Sequence, residues 1–144
     1  MRPYHHMLMI LSVLLLAGCS SSRKDRVFLD RAPIVVDRPD GSQELILFPQ
    51  YFLMEGYTLN DHGHIPNTRL IGAGFTADLD LATVRTQFSD LLHGYQWTTD
   101  RVEIGSQYFR ILASHNDETV EIRAVQGISG ATQIFLLYTP SFEG

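Results

Sequence analysis

The apolar residues of this chain switch from a helical period to a period of two around Gly94-Tyr95-Gln96, and nothing else in the sequence restricts the fold as much. Up to that point Leu81, Val84, Phe88, Leu91, Leu92 and Tyr95 fall at spacings of 3, 4, 3, 1 and 3. Such spacing gathers them into one stripe of a helix over about residues 80–93. Asp78 or Asp80 can cap its start, where a carboxylate also suits the helix dipole. Gly94 is expected to supply the left-handed residue after its end. His93 falls in the last turn, a capping position rather than a catalytic one.

After the helix the period is two. Residues 96–104, 108–114, 119–126 and 132–139 form four strand candidates, separated by Gly105-Ser106, His115-Asn116-Asp117-Glu118 and Gly127-Ile128-Ser129-Gly130. Phe109, Ile111 and Ala113 share one face, as do Val120, Ile122 and Ala124. Arg110, Glu121 and Arg123 then become cross-strand partners on the solvent side. The last segment is almost wholly apolar from Ile134 to Tyr138, the pattern of a strand buried on both faces. These features predict an α+β domain: one helix packed on an antiparallel meander of about four strands over residues 96–139. Phe88, Leu91 and Leu92 should pack on Phe109, Ile111, Val120 and Ile122.

Upstream, Ile34-Val35-Val36 and Glu44-Leu45-Ile46-Leu47-Phe48 flank the turn Asp37-Arg38-Pro39-Asp40-Gly41. Pro39 presets φ there and Gly41 permits a positive φ. This N-terminal strand pair, residues 34–48, is expected to extend or cap the sheet. Tyr51-Phe52-Leu53-Met54 suits core or edge packing. Asn60-Asp61-His62-Gly63-His64 has the composition of a solvated loop. His62 and His64 are its weak candidates for metal ligands, since residues two apart share a face when extended, but Asp61 would face the other way. Ile71-Gly72-Ala73-Gly74-Phe75 lacks the third glycine and the Lys-Ser/Thr ending of a phosphate loop, and is expected to be a flexible lead-in to the helix.

The N-terminus has a secretory layout. Arg2 lies in a short polar start, Met7 to Leu16 form an apolar core, and Ala17 and Gly18 are small. That apolar run is too short to span a bilayer, which takes about 20 residues. Leu16-Ala17-Gly18-Cys19 resembles the lipobox of bacterial lipoproteins. The resemblance implies a signal peptide over residues 1–18 that is cleaved, and a diacylglycerol thioether on Cys19 with acylation of the new amine. Residues 19–30 would then be the acylated cysteine and a flexible polar tether, and residues 31–144 a single globular domain. Cys19 is the only cysteine, so no internal disulfide can form. Ser20 stands where, in the enterobacterial system, an aspartate resembles an inner-membrane retention signal. The family's sorting logic therefore implies the outer membrane, with an envelope protein partner and a periplasm-facing domain. The helix-then-strands order is also loosely similar to small helix-on-sheet domains of outer-membrane assembly lipoproteins.

The chain has 144 residues, 44% hydrophobic and 19% charged, which is ordinary for one globular domain. Its formal net charge of −5 offers no basic footprint, so nucleic acid is not an expected partner. No Gly-x-Ser-x-Gly or His-Glu-x-x-His motif is present. The sequence thus points to a non-enzymatic interaction or structural module with no cofactor. An alternative is a periplasmic lipoprotein binding a metal or small ligand through Tyr95, Trp97 and the His62/His64 segment. A remote one is a small hydrolase using His115, Asp117 and Glu118.

Overall fold

Asp80 opens the helix as expected: its side chain accepts a 2.6 Å hydrogen bond from the Thr83 backbone N–H. In the computed structural model, which describes residues 34–141, this helix (α1) spans Leu81–Gly94 and buries Val84, Phe88 and Leu92. The expected leader, Cys19 and tether lie outside the described residues.

The helix ends differently from expectation. Gly94 is its last residue, and the left-handed position falls to Gln96, with φ 63°. Trp97 N–H donates to the Leu92 carbonyl at 2.8 Å and Gln96 N–H to that of His93 at 3.1 Å. Those two bonds are a Schellman closure, and the residues it joins, Leu92 and Trp97, are both buried in the one core. The burial of Trp97 puts the left-handed residue at Gln96, even though a glycine stands two positions earlier.

Among the described residues eight strands flank the helix: β1 (Ile34–Asp37), β2 (Gln43–Ile46), β3 (Tyr57–His64), β4 (Ile71–Ala77), β5 (Thr98–Ile104), β6 (Tyr108–His115), β7 (Glu118–Gln126) and β8 (Thr132–Thr139). Six form one antiparallel sheet in the order β3-β4-β8-β7-β6-β5. The expected helix-on-sheet α+β architecture holds, with six strands in the sheet rather than about four. The additional strands are β3 and β4, which the sequence suggested would be a loop and a flexible lead-in. Polar, glycine-rich composition masked them, because β3 is an edge strand and half of each strand faces away from the core. In β4 the residues Ile71, Ala73, Phe75 and Ala77 are all buried and the glycines alternate with them.

β1 and β2 pair only with each other, in register Ile34↔Ile46 through Asp37↔Gln43. Their turn follows the sequence: Gly41 has φ 82° and its N–H bonds the Arg38 carbonyl. The pair caps the sheet rather than extending it. Ile46, Phe48 and Phe52 enter the same core as the helix, where Phe48 meets Phe75 edge-on at 6.3 Å and Phe52 meets Trp97 at 5.9 Å. Hairpin and helix thus form one layer over one face of the sheet.

Candidate interaction surface

The other sheet face is covered by no element among the described residues. β8 shows this most plainly. Ile134, Leu136 and Tyr138 are buried, but Phe135 between them is 51% exposed and Leu137 half-buried. A strand expected to be buried on both sides is closed on one only.

Register lays this open face out in rows. One row reads, strand by strand, Glu103, Arg110, Arg123, Phe135, Gly74 and Asp61. The next reads Arg101, Leu112, Glu121, Leu137, Gly72 and Gly63. The β5–β7 side is therefore a charge ladder. Glu121 accepts from Arg110 at 2.6 Å and also from Arg123, while Glu103 lies 2.8 Å from Arg101 and 3.5 Å from Arg110. Burial works to raise the Glu121 carboxyl, but the hydrogen bonds and charges of Arg110 and Arg123 outweigh it and hold the group below the usual carboxylate range. The expected solvent-side partnership of Arg110, Glu121 and Arg123 is present.

On the β3–β4–β8 side, Gly63, Gly72 and Gly74 leave a groove of about 340 Å³. Bare backbone forms its floor, and Phe135 and Leu137 form one wall. A second hollow of about 370 Å³ lies beyond Leu137, lined by Leu70, Leu112, Thr119 and Thr139 among others. Tyr108 and Val125, paired across β6 and β7, add two more exposed apolar side chains to the face. Sequence reasoning missed the glycines' role. The strict alternation of Ile71, Ala73, Phe75 and Ala77 was the signal that could have revealed it.

The weak metal candidates are placed otherwise. His62 and His64 do share a face of β3, opposite Ala73 and Ile71, and Asp61 takes the other face as expected. The His62 side chain is only 6% exposed; its Nε2 makes no hydrogen bond, although Glu44 Oε2 lies 3.3 Å away. That carboxylate oxygen is already bound by Arg38. Among the described residues no three His, Cys, Asp or Glu side chains cluster to hold a metal ion.

His115, Asp117 and Glu118 are only partly brought together. Asn116 has φ 54°, as the tight primed hairpin turns require at their first central residue, and leaves Asp117 exposed. Glu118 is 1% exposed; it accepts from the Tyr138 hydroxyl at 2.5 Å and lies 3.6 Å from His115 Nδ1. The carboxylate ties the hairpin to β8 and presents nothing to solvent. Tyr95 and Trp97 likewise serve packing: Tyr95 stacks on Tyr51 at 3.8 Å, and Trp97 Nε1–H donates to the Tyr51 hydroxyl at 3.0 Å.

No helix among the described residues is long and apolar enough to cross a membrane. Comparison of the chain with protein-family models, curated proteins and solved structures finds no match.

Proposed function

We propose that this protein is an envelope lipoprotein, held at the outer membrane by acyl chains on Cys19, whose domain is a non-enzymatic interaction module. The open sheet face carries the interaction half of this reading. Phe135 and Leu137 wall a shaped groove, and exposed Val125 and Tyr108 lie further across the same face, the kind of apolar surface that marks protein contact rather than ordinary solvent-facing sheet. The anchoring half rests on the order Leu16-Ala17-Gly18-Cys19 behind a short apolar run. Two or three acyl chains hold a protein on a bilayer stably where one chain does so only marginally.

Metabolic labelling with a fatty-acid probe tests the anchor: Cys19→Ser should lose the label and accumulate uncleaved precursor. Persistent label on that variant would remove the anchoring reading. Crosslinking in cells tests the module. Probes placed at Tyr108 or Phe135 should capture protein neighbours, whereas probes on the outer side of α1, at Arg85 or Ser89, should not.

A further inference from the structure

We propose that the open face pairs with that of a second copy of this chain, about a two-fold axis parallel to the strands and running between β4 and β8. The inference rests on the reading of this face as a docking surface and names its occupant.

In a two-fold interface each residue faces the one equally far from the axis on the other side. The rows on this face are self-complementary about that line. Phe135 and Gly74 flank it in direct register, as do Leu137 and Gly72. One strand further out, Arg123 lies on one side and Asp61 on the other. Pairing therefore lays Phe135 over Gly74 of the second copy, Leu137 over its Gly72, and Arg123 against its Asp61. The exposed aromatic fills the glycine-floored groove, and a cation meets an anion.

The glycines support the same conclusion. A Cβ added at Gly74 would meet only the Asp61 carbonyl oxygen, at 3.9 Å, and one at Gly72 would make contacts of 3.8 Å or longer. Neither residue has a positive φ. Side-chain packing among the described residues therefore gives no reason for glycine in the interior of β4, where it is unfavourable relative to a side chain. Close approach of another molecule does give one. About this axis four strands of each copy, β3, β4, β8 and β7, lie over one another, and at about 4.8 Å apart and about seven residues long they give roughly 450 Å² per copy. Two such faces bury about 900 Å², the size of a small, reversible interface.

The experiment uses the full chain in native envelopes, with two differently tagged copies co-expressed, one carrying Phe135→Cys and the other Gly74→Cys. A short thiol crosslinker should give a mixed-tag dimer at twice the mass of the tagged chain. Placing Arg123→Asp in both copies should cut that product about tenfold, and Asp61→Arg should do the same. Combining the two reversals should restore it. Within one chain these residues stand three strands apart, so rescue reports a contact between chains. Absence of the mixed-tag product, indifference to the single reversals, failure of rescue, or capture of a protein of another mass at these positions would each overturn the pairing. Chains with only Cys19 serve as the control: crosslinking there reports a free thiol, which sinks the lipid anchor and leaves the interface standing.

Discussion

The two faces of the six-stranded sheet are made by alternate residues of the same strands, yet they meet different fates. On β8, Ile134, Leu136 and Tyr138 are sealed under the helix and the capping hairpin. Their neighbours Phe135 and Leu137, one residue along, face outward beside bare glycine backbone. Hydrophobicity alone does not separate the two sets. The difference lies in what the described residues supply to cover them: one helix and one short hairpin close a single face. The closed face is where stability resides. The open face leaves its apolar area exposed.

The sharpest way to break this contrast is a pair of truncations on one strand. Leu136→Ala removes a fully buried side chain and should cost about 2–5 kcal/mol in denaturant unfolding. Phe135→Ala should cost no more than about 1 kcal/mol, since the ring is half exposed. Equal costs would mean that the open face is structural after all. Next in size is Tyr138→Phe, which strips the buried Glu118 carboxylate of its hydroxyl donor and should destabilise by about 1.5–3 kcal/mol. A neutral outcome would show that Glu118 is held equally well without it.

A smaller effect of opposite sign is expected at the helix end. Gln96→Gly relieves a left-handed non-glycine residue and should raise stability by about 1 kcal/mol, with the Trp97–Leu92 bond kept. A loss would show that the glutamine side chain contributes more than its backbone conformation costs.

The last prediction concerns pH. Burial pushes the Tyr57 phenol up to about 12, and its hydroxyl donates to Gln87 Oε1 at 2.6 Å. The folded state thus keeps a proton that the unfolded chain releases near its ordinary value of 10. This contribution is complete below pH 10 and is lost as pH rises toward 12. Denaturation midpoints should therefore fall over that range in the wild type and fall less in Tyr57→Phe. Glu121 works in the opposite direction. Its lowered carboxyl supports the fold above the ordinary carboxylate range, and that support is lost as pH falls through the lowered value.

Much of the closed face was legible in the sequence. The stripe through Val84, Phe88 and Leu92, the Asp80 cap and the alternation of Val120, Ile122 and Ala124 each express a local period that burial enforces. The open face was not legible, for three physical reasons. A nearly continuous apolar strand looks the same whether its second face meets protein or solvent, so β8 gave no warning about Phe135. Glycine in a strand resembles glycine in a loop, so β4 was hidden. At the β6–β7 turn, composition could not tell Asp117 from Glu118, yet the hairpin register buries one and exposes the other.

The sequence by itself determined the helix, the turns, the inward residues of the meander and the lipobox-like stretch ending at Cys19. All of these depend on neighbours a few residues away or on a linear motif. Only the tertiary structure decided that β8 returns to lie against β4, joining Phe135 and Leu137 to Gly74 and Gly72. That pairing joins residues about sixty positions apart and depends on the helix carrying the chain across the sheet. No local period encodes it, because its stabilisation comes from closing one shared core.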